Sequence, residues 1–309
     1  MRDALFLLTG IILLYAGGEV LVYSATRVAL LLRVSPLVIG LTLVAFGTSA
    51  PELAATLVAS FKGFGDVAFG NVVGSNIANL GLVLGLAALV RPVRTTARFV
   101  AQEVPFMIFA GALLFEMARD GYLGRKEGLF FLFFLFLFLC FLLRRDASVA
   151  ALDAGEKRAP RRKIFLYTLG VFGGVALLSF GANVLVEGAV GIARHFGVSE
   201  RVIGLTLVAV GTSLPELAST LVAVYRRAGD IILGNIIGSN IMNILAILGI
   251  TPLIHPFSFS QQKIVLDLAV MMAFFLVTWA MLAHHRLLGR FKGALLLGAY
   301  ILYIFYLYR

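Results

Sequence analysis

Apolar residues dominate this 309-residue chain and fall into ten long runs, which short polar or glycine- and proline-containing segments separate. About 20 consecutive apolar residues are enough for a helix to cross a bilayer. The pattern therefore predicts an all-α integral membrane protein with ten transmembrane helices. The predicted spans are residues 4–31, 37–60, 67–90, 98–118, 127–143, 164–193, 201–224, 230–253, 263–283 and 291–308.

The composition excludes most other classes of protein. Apolar residues make up 61% of the chain and charged residues 14%, whereas a soluble globular protein has roughly 45–50% and 25%. Ten spans leave only short loops, so there is no room for a sizeable soluble domain. The single cysteine, Cys140, cannot form an internal disulfide bond.

The chain has a net charge of +10, and the distribution of its basic residues indicates how the chain is oriented in the membrane. The basic residues stand in short groups between apolar runs, and one side of the predicted membrane carries 17 of the 26. The positive-inside rule then places both termini outside the cytoplasm and the 144–163 linker inside it. Nucleic-acid binding is not expected. The 17 are Arg27, Arg33, Arg91, Arg94, Arg98, seven residues of the linker, Arg226, Arg227, Arg286, Arg290 and Lys292.

The two halves of the chain repeat each other at one constant offset, which matches Glu52 to Glu216. VIGLTLVAFGTSAPELAATLVAS at 38–60 recurs as VIGLTLVAVGTSLPELASTLVAV at 202–224, with 19 of 23 positions identical. Each half has five spans, an odd number, so the second half must enter the membrane upside down. Inverted repeats are typical of secondary transporters. We therefore predict a first five-helix repeat at 1–143, a basic cytoplasmic linker at 144–163 and an inverted second repeat at 164–309.

Two acidic residues stand out in the duplicated segments. Glu52 and Glu216 each follow a Thr-Ser-X-Pro sequence, and a proline inside a helix removes a hydrogen bond and bends the helix. An acidic residue at the centre of a span costs roughly 2.5–3.5 kcal/mol. The surrounding helices carry basic residues only at their edges. Cations, protons or both in turn must therefore neutralise the two carboxylates, and this competition is the physical basis of cation antiport.

The polar residues around these two glutamates are all hard oxygen ligands. Such ligands suit Ca²⁺ and Na⁺, whereas the absence of Cys and His from these helices disfavours zinc and copper. A proton-coupled Ca²⁺ antiporter and a cation channel remain alternatives, and no HExxH motif suggests an intramembrane enzyme. The polar residues are Thr42, Thr48, Ser49, Asn71, Ser75, Asn76 and Asn79, with Thr206, Thr212, Ser213, Asn235, Ser239, Asn240 and Asn243 in the second half.

The motifs GTSAPE with GNVVGSNIANLG, and GTSLPE with GNIIGSNIMNILAILG, resemble the two alpha repeats of the sodium/calcium exchanger family, in its compact prokaryotic form. The resemblance implies exchange of Na⁺ for Ca²⁺ by alternating access, with the first and sixth helices sliding past the other eight. It also implies a ligand set for the transported ions. That set is Glu52, Glu216, Thr48, Ser49, Thr212, Ser213, the carbonyls of Ala45 and Ala209, Ser75, Asn79, Ser239 and Asn243.

One departure from the family matters. Several sodium/calcium exchangers carry Asp at a position that matches Asn79 or Asn243, and here both are Asn. The site therefore holds two carboxylates rather than three, which leaves the driving ion, the stoichiometry and K⁺ dependence open. Expected partners are the lipid bilayer of a prokaryotic inner or plasma membrane and small cations. No cofactor and no obligatory protein partner is expected.

Overall fold

The computed structural model of the protein describes residues 2–150, 161–196 and 209–307. Within them, helices predominate and the only strands are four two-residue pieces. The helices are α1 (Arg2–Leu32), α2 (Pro36–Thr48), α3 (Ala50–Phe61), α4 (Gly65–Val90), α5 (Ala97–Met117), α6 (Arg125–Ala150), α7 (Arg161–His195), α8 (Ala209–Thr212), α9 (Leu214–Tyr225), α10 (Gly229–Ile254), α11 (Gln261–Ala283) and α12 (Arg290–Leu307). The strands are β1 (Val93–Arg94), β2 (Tyr122–Leu123), β3 (Phe257–Ser258) and β4 (Leu287–Leu288).

Most of these helices are long enough to cross a membrane. In the described part of the chain, α1, α4, α5, α6, α7, α10, α11 and α12 are eight such helices, and the bent pair α2–α3 would make a ninth. The shorter apolar helix α9 ends the predicted span 201–224, whose residues 201–208 lie outside the described residues. The fold is thus that of a helical membrane protein, and the count of ten spans stays a prediction.

Local signals explain where several helices begin and end. Ser35 caps α2, because its Oγ accepts a hydrogen bond from the Val38 amide at 3.4 Å, and Pro36 occupies the first turn, where no amide is needed. Two helices run beyond the apolar runs: α6 continues to Ala150 and α7 begins at Arg161. No glycine or proline stands between 144 and 150 to end α6.

The internal repeat extends to local structure. Helix α9 spans the positions of the second half that match α3, and α10 begins at the position that matches the start of α4. Both α4 and α10 contain a short π-helical segment, Asn79–Leu84 and Asn243–Ile247, that begins at the matching asparagine. Strand β1 pairs with β4, and β2 pairs with β3. Each pair therefore joins one strand from each half of the chain.

Glycines let the central helices approach closely. Helices α4 and α10 are the most enclosed of the long helices, whereas α6 and α12 are mostly exposed at their surfaces. A Cβ atom added to Gly40 of α2 would lie 3.1 Å from the Cα of Gly234 of α10, so the two backbones touch where they cross. Small residues at membrane helix crossings allow this contact. The result is a compact centre that holds the duplicated polar residues.

The two longest helices, α1 and α7, pack along each other outside this centre. A Cβ atom on Gly17 would lie 2.8 Å from the backbone nitrogen of Leu178, and one on Gly174 would lie 2.7 Å from the backbone nitrogen of Leu21. The helices thus meet backbone to backbone through glycines on both sides, as small residues permit in lipid.

Candidate ion-binding site

The site begins at a bend in the α2–α3 pair. The two helix axes differ by 42°, and Ser49 stands between them with φ −82° and ψ 2°. Pro51 lies in the first turn of α3, where its missing amide hydrogen and its ring prevent the helix from continuing straight. The bend that the sequence predicts at Pro51 is therefore confirmed. Ser213 precedes α9 with φ −87° and ψ 1°, and Pro215 lies in that helix's first turn.

Glu52 and Glu216 lie in the first turns of α3 and α9, and each is 1% exposed. The two carboxylates are close enough for their charges to interact, and the hydroxyl groups of Thr48 and Ser49 lie near Glu216 without a hydrogen bond to it. Among the described residues, one oxygen of Glu52 and both oxygens of Glu216 have no hydrogen-bond partner. Buried acidic oxygens without partners are costly, so the pair requires a positive charge.

A hydroxyl cluster joins α2 to α10 beside these glutamates. The Thr48 hydroxyl donates to the Asn235 Oδ1 at 3.2 Å and lies 3.4 Å from the Ser239 Oγ. The Ala45 carbonyl oxygen is 3.4 Å from the Thr48 Oγ1 and 3.5 Å from the Ser239 Oγ. Four neutral oxygen atoms from two helices therefore meet in one place, and oxygen is the ligand type that Na⁺ and Ca²⁺ prefer.

Asparagines extend the polar surface along α4 and α10. The Asn79 amide donates to the Asn240 Oδ1 at 3.2 Å, which links the two helices. Asn243 is fully buried, and neither its amide nitrogen nor its carbonyl oxygen has a partner in the described part of the chain. The Asn79 Oδ1 and the Ser49 hydroxyl are also buried without a described partner. The oxygens among these atoms are available to a bound cation or to water, and the Asn243 amide nitrogen can donate only to water or to another acceptor.

The structure brings many of the expected ligands together. Glu52, Glu216, Thr48, Ser49, the Ala45 carbonyl and Ser239 lie at one cluster, and Asn79 is linked to α10 next to it. Ser75 of α4 and Asn243 of α10 are also buried, and so is Ser213, which precedes α9. Thr212 is the last residue of the short helix α8, which begins at Ala209. The environment of the Ala209 side chain is outside the part of the chain that the structure describes.

Asn71 and Asn235 stand among the polar residues around the glutamates, but the ligand set that the family resemblance implies does not include them. The Asn71 amide donates to the Glu52 carbonyl oxygen at 3.2 Å and to the Thr56 Oγ1 at 2.9 Å. The Asn235 amide donates to the Thr220 Oγ1, which matches that of Thr56, at 3.4 Å, and to the neighbouring Ser219 Oγ at 3.2 Å. Each asparagine thus braces the helix that carries a glutamate. Asn71, Ser75 and Asn79 are spaced four residues apart, so they share one face of α4, and this pattern is the sequence feature that could have pointed to a common role.

A sequence model of the family described as sodium/calcium exchanger protein matches residues 3–144 and 166–309. This chain belongs to the sodium/calcium exchanger family. The expectation from the duplicated GTSxPE motifs is thereby confirmed. The family is one of exchangers, which are transporters.

Relatives of this exchanger cover nearly its whole length. A putative antiporter, CaxA of Alkalimonas amylolytica, is 40% identical over 312 residues, and 98% of each chain is covered. The sodium/calcium exchanger MaX1 of Methanosarcina acetivorans is 35% identical over 345 residues, again with 98% of each chain covered. A solved structure of the sodium-calcium exchanger NCX_Mj superposes with a TM-score of 0.84 at 32% identity and covers 99% of both chains. The helical membrane fold is thus shared with a known exchanger.

Proposed function

We propose that this exchanger moves Na⁺ and Ca²⁺ in opposite directions through a central site built around Glu52 and Glu216. One observation carries the proposal: two buried carboxylates stand at matching bends of the chain, and three of their oxygens have no hydrogen-bond partner among the described residues. One Ca²⁺ neutralises both charges, and Na⁺ ions neutralise them in its place. The two cations therefore compete for the same oxygens, which couples their movements.

The neutral ligands of the proposed site come from α2, α4, α8 and α10 and from the two serines that precede α3 and α9. They are Thr48, Ser49, Thr212, Ser213, the carbonyls of Ala45 and Ala209, Ser75, Asn79, Ser239 and Asn243. Hydroxyl, amide and carbonyl oxygens replace the hydration shell of Na⁺ and Ca²⁺, and a dry cage of this kind suits Mg²⁺ less well. The transported ions are substrates, and the exchange needs no other cofactor.

Alternating access follows from an inverted duplication of five helices. We place ten helices in the membrane, with the second repeat inverted and residues 144–163 as the cytoplasmic linker. The recurrence of helix positions in the two halves and the strand pairs between the halves support this arrangement. Two halves of opposite orientation give one scaffold two similar states, each open to one side. The α1–α7 pair, joined backbone to backbone, is the unit that moves.

The orientation of the chain follows from its basic residues. Both termini lie outside the cytoplasm, and the exchanger resides in the inner or plasma membrane of a prokaryotic cell. The 17 to 9 division of basic residues supports this assignment. Tagging each terminus and the linker with a reporter that is active on one side of the membrane tests it.

Gradient-driven uptake tests the proposed exchange. Purified protein is placed in vesicles loaded with Na⁺, and labelled Ca²⁺ is added outside while Na⁺, K⁺ and H⁺ gradients are varied separately. We expect Ca²⁺ uptake only with an outward Na⁺ gradient. Uptake that ignores Na⁺ and follows the pH gradient would contradict the proposal and indicate exchange of H⁺ for Ca²⁺. Unitary currents without counterflow would indicate a channel.

A further inference from the structure

Two matching pockets lie at the ends of the central helices, and their charges differ. The first has a volume of about 460 Å³ and is lined by Arg91, Pro92, Val93, Arg94, Arg227, Gly229 and Ile232. We name it the arginine pocket. The second, of about 490 Å³, lies at the corresponding place in the internal repeat, where Gly63, Gly65 and Ser258 match Arg227, Gly229 and Arg94 of the first. Its lining contains Asp66 and two serines but no Lys or Arg.

We propose that the arginine pocket binds the phosphate group of an anionic phospholipid. Its three guanidinium groups come from the end of α4, from β1 and from the turn before α10. All three side chains are exposed, and no hydrogen bond or ion pair is found for them among the described residues. Arginines bind phosphate oxygens in a bidentate manner, so three of them around one opening form an anion site.

The position of the pocket favours a lipid as the source of the phosphate. Val90 ends a membrane-length helix and Gly229 begins another, so the pocket lies at the level where lipid headgroups stand. It is on the face that the proposed orientation assigns to the cytoplasm, where basic pockets between helices bind acidic headgroups. Asp230 is exposed in the first turn of α10, but it does not line the pocket.

Arg227 is one of four non-glycine residues with a left-handed backbone in the described part of the chain, with Arg33, His285 and Arg286. Arg227 has φ 60°, a left-handed conformation that favours glycine, and the matching residue in the first half is Gly63 with φ 74°. The second half thus keeps an arginine where the first half has the residue that fits the backbone better. The β1–β4 pairing and the hydrogen bond from the Thr95 amide to the Arg286 carbonyl, at 3.0 Å, hold Arg94 in place.

Lipid retention by the full-length protein tests this proposal. Native mass spectrometry compares retention of phosphatidylglycerol and phosphatidylcholine by the wild type, by the variant Arg91→Gln/Arg94→Gln/Arg227→Gln and by a control. The control, Arg144→Gln/Arg162→Gln/Lys163→Gln, removes the same charge from the same predicted face outside the pocket. We expect the affinity for phosphatidylglycerol to fall at least about tenfold in the pocket variant and to stay within about twofold in the control.

Several outcomes would overturn the proposal. Equal losses in the two triple variants would show that only the overall charge of this face attracts lipid. Equal retention of both lipids by the wild type would exclude a headgroup site. A calorimetric titration with inorganic phosphate forms a separate arm: binding as tight as that of the lipid would identify free phosphate as the ligand. None of these measurements depends on transport. They therefore test lipid binding even if the proposed exchange of Na⁺ for Ca²⁺ is not observed.

A single substitution distinguishes a loss of lipid binding from a loss of folding. Arg227→Gly restores the residue of the first half and removes the backbone strain. We expect this variant to unfold at the same temperature as the wild type or a higher one while it retains less phosphatidylglycerol. A loss of lipid that accompanies a loss of thermal stability would mean that Arg227 only supports the fold.

Discussion

The hydroxyl of Thr48 donates a hydrogen bond to the Oδ1 of Asn235, 187 residues further along the chain, at 3.2 Å. Asn235 in turn donates to Ser219 Oγ on α9, the helix that carries Glu216. One asparagine therefore connects Thr48 of the first half to the helix that holds the second glutamate. We expect a disturbance at either end of this connection to affect the proposed ion site.

The Thr48–Asn235 bond predicts non-additive effects on Ca²⁺ affinity. Thr48→Val and Asn235→Ala should each raise the half-saturating Ca²⁺ concentration about five- to tenfold, because each leaves a buried polar partner without its bond. The double variant should be little worse than either single one. The matched control is Thr278→Val, which alters a buried hydroxyl with no described partner. Fully additive losses would show that the two residues act separately.

Neutralising either central carboxylate should abolish exchange. Glu52→Gln and Glu216→Gln keep the side-chain shape but remove one of the two charges that attract the ions. Ca²⁺ uptake driven by Na⁺ should fall at least about a hundredfold, since losing a charged partner in the interior costs about 3–5 kcal/mol. Asp267→Asn serves as the control, because that carboxylate accepts a hydrogen bond from the Tyr303 hydroxyl at 2.8 Å. Normal uptake by either glutamine variant would move the site elsewhere.

Two adjacent glycines in α7 should respond differently to the same substitution. A Cβ atom on Gly174 would lie 2.7 Å from the backbone nitrogen of Leu21 in α1, whereas one on Gly173 would have no neighbour within 4 Å. Gly174→Ala should therefore destabilise the protein by about 1–3 kcal/mol, and Gly173→Ala should not. Thermal unfolding in detergent measures both, and equal melting temperatures would refute tight α1–α7 packing.

An ion pair connects α1 to the end of α9. The Arg226 Nε lies 3.1 Å from Glu19 Oε1, and a second guanidinium nitrogen contacts the other carboxylate oxygen. The arginine is half exposed, and such pairs are worth about 0–1 kcal/mol. Glu19→Gln should thus change the Na⁺/Ca²⁺ exchange rate less than about fivefold. The swap Glu19→Arg/Arg226→Glu should restore the rate, and a lasting defect would require another role for Glu19.

Local patterns predict much of this protein. The apolar runs predict the long helices because a bilayer selects for length and hydrophobicity within one segment. Pro51 predicts the bend between α2 and α3 because a proline acts on its own helix. The helix ends were less predictable: α6 runs on to Ala150 because polar residues without glycine or proline also form helix.

The order of the amino acids is enough to establish the duplication, the pair of glutamates and the family. Repeats, residue types and motifs can all be found by comparing stretches of sequence, without knowing which residues are in contact. The contact of Asn235 with Thr48, and the pocket that Arg91 and Arg94 share with Arg227, emerge only in the folded chain. These residues come from opposite halves of the chain. Which of them meet depends on how the halves pack, through close backbone contacts such as that of Gly40 with Gly234. No periodicity within a single segment encodes that arrangement.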